Sequence, residues 1–385
     1  MRIECRPIQG PFGAEVRGVD LARPLTPAVL AELEAAWTRH SVLVFREVRM
    51  TPAQQVDFTR RLGPLHVMEP LEFNLPGHPE VFVVSNVEEG GRPIGLKRAG
   101  WGWHSDGEDK AIPNAGSLLH ALEIPPEGGD TLFADTYGAF AALPGDVRRT
   151  IAGRRACFSR VRLHHVHYPH MAPLTEEQKA KRPDVWHPIA RRHPRSGWTA
   201  LYIGRWAVEV EGLPAAEAED LIRFLQAFAV RPEFVYRHRW QVGDAVLWDN
   251  RCTQHCATEF DDGRYRRRMH RTTLEGRAAA PGRGAGGAPG LIAVYGPRRA
   301  PDAAGTRRGG PDPREDGERL SGLDDALQAL ESAKPGLAVA RNRGVPSPGS
   351  REPMRGLSRC AALTRLGPPP RLSPSLVRHR PPGRT

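Results

Sequence analysis

The sequence predicts a mainly β protein with flanking helices, a barrel or sandwich of the jelly-roll kind. Three observations carry this. Short runs rich in Val, Leu, Phe, Thr and Trp recur from Val42 to Leu274, separated by Gly, Pro and Asp/Asn turn signals. Within residues 1–276, helical start signals or apolar spacing mark only 26–40, 51–63 and 214–228. No internal repeat, no glycine-rich phosphate loop and no Gly-x-Ser-x-Gly elbow points to another architecture.

Thr26-Pro27 opens the first helix, which runs to about His40. Threonine caps a helix start with its hydroxyl, and proline fits the first turn, where its missing N–H costs nothing. Leu30, Leu33 and Trp37 recur at helical spacing and form its core face. Residues 42–45 then read as a buried strand. Thr51-Pro52 opens a second helix ending near Gly63. Residues 81–84 and 116–122 read as extended, and 131–134 follow a Pro-Pro-Glu-Gly-Gly turn. Residues 154–195 are basic and read as irregular. The histidines His164, His165, His167 and His170 lack carboxylates at useful spacing, so a mobile solvated loop is expected there rather than a metal site. Strands are expected at 198–203, 234–240, 244–248 and 266–274, with an amphipathic helix over 214–228.

The chain has 385 residues, enough for one large or two ordinary domains. Its composition changes after Gly276. Residues 277–385 hold 16 Pro and 17 Gly, about 30 % of that segment, which is the low-complexity range. They also carry 10 of the 11 net positive charges. We therefore expect a folded domain over 1–276 and a disordered Pro/Gly/Arg-rich tail over 277–385. The folded part is close to neutral, so no nucleic-acid partner is expected. The five cysteines, Cys5, Cys157, Cys252, Cys256 and Cys360, are odd in number and irregularly spaced. That argues against a disulfide framework and fits a reducing, cytoplasmic location. No apolar signal segment and no run of 18 apolar residues occurs, so no membrane span is expected.

Chemistry concentrates in two places. In Trp103-His104-Ser105-Asp106-Gly107, side chains at i and i+2 share a face if the segment is extended, which sets His104 beside Asp106. His255 follows 149 positions after Asp106, in Trp248-Asp249-Asn250-Arg251-Cys252-Thr253-Gln254-His255. Two imidazoles and one carboxylate on one side of a metal leave positions open, the usual arrangement of non-haem Fe(II) oxygenases. Cys252 and Cys256 flank His255 and raise zinc as an alternative, but no Cys-x-x-Cys pair or second cluster completes a zinc ligand set. The second place is Arg266-Arg267-Arg268-Met269-His270-Arg271-Thr272-Thr273. As a strand it puts Arg267, Met269, Arg271 and Thr273 on one face. If that face points into the barrel, two guanidiniums are buried and need anions, and their forked geometry suits carboxylates.

These residues resemble the TauD/TfdA (taurine dioxygenase / 2,4-dichlorophenoxyacetate dioxygenase) family of Fe(II)/2-oxoglutarate-dependent dioxygenases. The resemblance runs from about Ile3 to Gly276. It rests on Gly13-Ala14-Glu15-Val16, Val42-Leu43-Val44-Phe45-Arg46, Trp103-His104-Ser105-Asp106, Gly128-Gly129-Asp130-Thr131, Trp248-Asp249-Asn250-Arg251 and Met269-His270-Arg271. It implies a double-stranded β-helix, a jelly roll with a metal at its mouth. It implies that His104, Asp106 and His255 are the metal ligands, and that Fe(II), 2-oxoglutarate and O2 are used, with release of succinate and CO2. Thr131 and Arg267 match the positions that hold the far carboxylate of 2-oxoglutarate. Arg271 matches the position that meets the anionic group of the prime substrate, and assistance to 2-oxoglutarate stays open. Trp206 stands where the taurine enzyme carries a pocket phenylalanine. The partner expected is a small anion, a sulfonate, sulfate ester or carboxylate, and a homo-oligomer is expected.

The departures from the taurine enzyme are specific. Met68 stands where that enzyme has a sulfonate-contacting histidine, and Gly100 where it has an asparagine. Asp106, rather than a small residue, argues against halogenation. Two rivals are a non-catalytic jelly roll that binds a small anion and a hydrolase that uses the same facial ligands. No ligand is lost, which argues against the first. Hydrolysis needs no dicarboxylate pocket of the Thr131–Arg267 kind, which argues against the second.

Overall fold

The strand Val42–Phe45 is buried on both faces: Val42, Leu43, Val44 and Phe45 are all at most 2 % exposed. Successive side chains of a strand point to opposite sides, so such a strand needs a layer above and a layer below. A computed structural model, which describes residues 2–8, 10, 12–69, 71–169 and 171–277, supplies both. Leu43 and Phe45 pack with Leu33 and Trp37 of the helix Pro27–His40 and with Phe58 and Leu62 of the helix Pro52–Leu62. Val42 and Val44 face the other way, into a core shared with Phe82, Phe133, Tyr236, Trp248 and Met269.

That second core lies between two sheets. The larger runs in the order Glu4–Pro7, Ala14–Arg17, Val42–Phe45, Ala245–Asp249, Gly116–Glu123, Arg268–Leu274, His78–Ser85 and Asn74–Leu75, with Leu65–His66 also paired to Arg268–Leu274. Only Ala14–Arg17 against Val42–Phe45 is parallel. The smaller sheet places Thr131–Asp135 between Val235–His238 and Thr253–Ala257, all antiparallel. A mostly antiparallel sheet facing a fully antiparallel one over one core, with helices outside the larger, forms the expected jelly roll.

A third group of elements packs beside the barrel. The helix Ala215–Ala229 buries Leu221, Ile222, Phe224, Leu225 and Phe228 against the helices Thr136–Ala142 and Gly145–Ile151 and a sheet ordered Val185–Pro188, Arg155–Phe158, Ala207–Val210. Here the structure corrects the reading of 154–195 as irregular. That stretch contains the strands Arg155–Phe158, Val185–Pro188 and Ala190–Arg192 and the helices Arg160–His167 and Glu176–Ala180. Ser159 caps the first of these helices by accepting from the Arg162 N–H, and His164 is buried on it. The elements are short and gain their stability from the lobe they join, so local propensity was a weak guide. His170, and the Pro/Gly/Arg-rich tail from residue 278 on, lie outside the described residues. Among the described residues, no helix is long and apolar enough to cross a membrane.

Candidate active site

The two sheets meet their functional side chains at one end. His104 forms an isolated antiparallel bridge with His255: the His104 N–H donates to the His255 carbonyl at 3.1 Å and the His255 N–H to the His104 carbonyl at 2.8 Å. His255 sits in the strand Thr253–Ala257, opposite Phe133. The bridge brings the imidazoles to 4.2 Å between ring centroids. After His104 the chain turns rather than staying extended, with the Glu108 N–H reaching the Ser105 carbonyl. The turn still carries Asp106 back. Its Oδ1 lies 3.7 Å from His104 Nε2 and 3.8 Å from His255 Nε2. One ligand atom from each of the three residues lies within 4.8 Å of the others, and all three residues are buried.

The electrostatics prepare these atoms for a cation. Burial pushes His104 well below its ordinary value and His255 down to about 4, and Arg205 disfavours protonation of both. Both rings are therefore neutral at physiological pH. His104 Nδ1 lies 2.8 Å from the Gly102 carbonyl and must donate to it, which leaves the Nε2 lone pair free. Burial alone would raise the Asp106 carboxyl. The Arg271 guanidinium, the two imidazoles and the Ser117 hydroxyl overcome that and hold it well below the carboxylate range. A neutral imidazole pair beside a fixed carboxylate fits a divalent metal.

Arg271 donates from Nη1 to Asp106 Oδ1 at 3.2 Å, and its Nε is buried with no partner. Arg267 is 6 % exposed, its Nε is also without a partner, and burial lowers it to about 10 although Asp130 opposes this. It rests against the turn at Gly129, where an added Cβ would meet Arg267 Cδ and Nε at 3.4 Å and the backbone φ is +66°. The positive φ favours glycine there, and an added Cβ would also crowd Pro125 Cγ at 3.0 Å. Arg267 lines a cavity with Asn86, Trp101, Ala257 and Thr258, and Thr131 lies opposite Ala257 in register and accepts from Trp240 Nε1 at 3.0 Å. Two buried guanidiniums with unsatisfied donors, on one face of the strand end 267–274, are suited to two anionic groups.

Comparisons with known proteins cover residues 4–273 of the chain. The family model "Taurine catabolism dioxygenase TauD, TfdA family" matches residues 4–273. The chain belongs to the TauD/TfdA family. It is 36 % identical over 292 residues to the alpha-ketoglutarate-dependent 2,4-dichlorophenoxyacetate dioxygenase of Cupriavidus pinatubonensis, covering 71 % of this chain and 99 % of that one. It is 33 % identical to the alpha-ketoglutarate-dependent sulfate ester dioxygenase of Pseudomonas putida, covering 72 % and 90 %. Among solved structures, AAD-2 in complex with Mn(II) and N-oxalylglycine superposes with a TM-score of 0.63 at 31 % identity, covering 71 % of this chain and 99 % of that one. Membership makes this TauD/TfdA protein an oxidoreductase that uses Fe(II), 2-oxoglutarate and O2.

Of the residues read from sequence, Trp206 stands apart. It is 2 % exposed in the core of the neighbouring lobe, the same core that holds Trp103, and packs edge-on against His167. Its neighbour Arg205 carries the charge of that loop: it stacks on Trp206 and Tyr168 and donates to the Trp101 carbonyl at 2.7 Å. The zinc alternative is answered by Asp249. A second group, His193, Asp249 and Cys252, comes within 4.8 Å. Asp249, however, already accepts three bonds from Arg251, one of them from its backbone N–H, and one from His193, so its carboxylate is paired within the protein. Cys256 points away from the imidazoles into the lobe core. Sequence reasoning missed Arg205, Glu108, Ser117 and Asn250. Glu108, raised to about 7 by burial, accepts from the backbone N–H of Ser105 and of Trp206 and ties the metal-ligand turn to the lobe. Its place two residues after Asp106 was the available signal.

Proposed function

We propose that this TauD/TfdA dioxygenase hydroxylates a small anionic molecule with an apolar body, using His104 Nε2, Asp106 Oδ1 and His255 Nε2 as the iron ligands. The observation that carries the reading is the convergence of those three atoms beside two buried guanidiniums that lack full partners. Bound iron would supply oxidative decarboxylation of 2-oxoglutarate to succinate and CO2, with one atom of O2 going to succinate and the other inserted into a C–H bond of the substrate.

The chain's own residues bind and orient. Arg267 pairs with the far carboxylate of 2-oxoglutarate in a forked, charge-assisted contact, with Thr131 beside it. Arg271 exchanges its bond to Asp106 for the anionic group of the prime substrate. Phe82 lies beneath the Arg271 guanidinium at 5.3 Å and meets Phe73 edge to face. Met68, Phe73 and Leu96 are half-buried against the same inner core. Apolar walls keep water from the reacting carbon and favour an aryl or alkyl body. Relatives named for phenoxy carboxylates and for sulfate esters support this class. Trp206 supports Arg205 from the lobe side by stacking beneath its guanidinium. For assembly, a homo-oligomer in the cytoplasm is the expectation, read by sedimentation and fractionation.

The test is succinate release, metal- and 2-oxoglutarate-dependent, over a panel of aryloxyalkanoates, alkyl sulfates and sulfonates. One succinate per hydroxylated product is expected with at least one class. Metal-dependent turnover that needs no 2-oxoglutarate and releases no succinate would replace this reading with hydrolysis.

A further inference from the structure

The carboxylate of Asp106 has two oxygens with different surroundings. Oδ1 faces His104 Nε2 and His255 Nε2. Oδ2 accepts from the Ser117 hydroxyl at 2.7 Å. Ser117 is itself fully buried in the strand Gly116–Glu123, and its Oγ accepts from Asn250 Nδ2 at 3.3 Å. The amide oxygen of Asn250 closes the ring by accepting from the Asp106 backbone N–H at 3.2 Å, and also from Trp248 Nε1 at 2.8 Å. The proton directions are forced. A carboxylate only accepts, an indole N–H and a backbone N–H only donate, so the amide oxygen and nitrogen can stand only one way round.

This ring is anchored outside the site. Asn250 donates from its backbone to the Ala115 carbonyl at 3.1 Å, and Ser117 sits opposite Trp248 on one side and Thr273 on the other. Three strands of the larger sheet thus fix the angle of one carboxylate.

We infer that Ser117 and Asn250 are positioning residues that commit Asp106 to one-oxygen ligation. The inference rests on the ligand assignment proposed above. A carboxylate free to rotate can chelate a divalent metal through both oxygens. Chelation here would fill one more coordination position. A facial set of three ligands must keep positions open for a two-point keto-acid and for O2. Occupying Oδ2 with a buried hydroxyl removes that option, and the Asn250 amide holds both the hydroxyl and the Asp106 backbone in place.

The experiment uses the full chain, loaded with Co(II) and titrated anaerobically with 2-oxoglutarate by calorimetry, with the Co(II) ligand-field spectrum recorded alongside. Losing an outer partner of a metal ligand typically costs 10- to 100-fold in metal affinity or activity. Ser117→Ala is expected to raise the 2-oxoglutarate dissociation constant by about tenfold or more. It is also expected to weaken the Co(II) absorption as a fourth protein atom enters the coordination sphere. Ser117→Thr, which restores the hydroxyl, returns both readouts towards wild type. Thr59→Ala removes another buried hydroxyl, one bonded to Thr272 Oγ1 under the sheet, and serves as the stability-matched control with both readouts unchanged. If Ser117→Ala does not fold, Ser117→Gly, which also removes the hydroxyl, takes its place with the same expectations. Wild-type 2-oxoglutarate affinity and an unchanged spectrum in the alanine or glycine variant overturn the inference, even if the melting temperature falls. Failure of the wild-type protein to bind Co(II) and 2-oxoglutarate instead overturns the functional reading beneath it.

Discussion

Arg271 Nη1 and the imidazoles of His104 and His255 all approach the same atom, Oδ1 of Asp106. One carboxylate oxygen is therefore claimed by a guanidinium and by the two residues with which it would share a metal. The arrangement couples metal binding, arginine placement and barrel stability.

The first consequence concerns Asp106→Ala, which removes a ligand and the counter-charge of Arg271 together. Stoichiometric Fe(II) or Mn(II) binding and substrate-coupled succinate formation should both be lost. Removing one partner of a buried ion pair costs roughly 3–5 kcal/mol, so the melting temperature should drop as well. Adding Arg271→Met should recover part of the stability and none of the metal binding. Full coupled turnover in Asp106→Ala would refute the ligand assignment.

The two buried arginines should separate kinetically. Arg267→Ala is expected to raise KM for 2-oxoglutarate, and Arg271→Ala to raise KM for the prime substrate. A charge-assisted hydrogen bond contributes about 1.5–3 kcal/mol, or roughly 10- to 150-fold in each case. Titrating both compounds against both variants checks this, and identical defects in the two titrations would remove the division of labour.

Taurine should be a poor substrate. Met68 is packed half-buried against the apolar inner core, and Gly100 presents no side chain 3.9 Å from the His104 ring, where its Cβ would stand. Neither can donate to a sulfonate, and sites that lack a required polar partner discriminate strongly. Turnover of taurine equal to the best compound of the anion panel would contradict this.

Acid should destabilise the metal-free protein within a defined window. Burial lowers His187 and His270 from the ordinary 6.5 to about 4, with Arg191 adding to the effect at His187 and Arg268 at His270. A group whose folded pKa is depressed favours the folded state while it is neutral. That contribution is complete above the unfolded value and is lost as pH falls through the folded one. Stability should therefore be flat above about pH 7 and fall between about pH 6.5 and 4, by on the order of 3 kcal/mol per histidine. Urea titrations at stepped pH give the slope, and His270→Gln should reduce it. A stability curve that is flat to pH 4 would contradict it.

A chain ending at residue 285 should retain metal binding and coupled turnover. The family match ends at residue 273, and Arg271 is the last of the proposed site residues. Calorimetry and succinate release on the shortened protein decide this. Collapse of either would make the Pro/Gly/Arg-rich segment integral to the enzyme.

Much of the site was legible because its signals are local. His104 and Asp106 are two residues apart, and the arginines alternate along one strand, so period alone put Arg267 and Arg271 on a common face. Helix starts were legible for the same reason. Thr26 and Thr51 cap their helices as expected, and Gln54 completes a capping box. The strands at 42–45 and 245–249 announced themselves through apolar runs that only a core can bury on both faces.

Tertiary structure alone decided the rest. The strand Thr253–Ala257 has no apolar alternation of its own and exists because it pairs with Thr131–Asp135. The elements within 154–195 are too short to be stable alone and form because the lobe around Ala215–Ala229 buries them. Trp206 and Arg205 are adjacent in sequence, yet packing sends the apolar ring into that lobe and leaves the guanidinium to the site. Ser117 and Asn250 are 133 residues apart and reach Asp106 through sheet register. A sequence carries side-chain chemistry and local period, whereas a hydrogen bond between distant strands depends on the register and packing of the whole sheet.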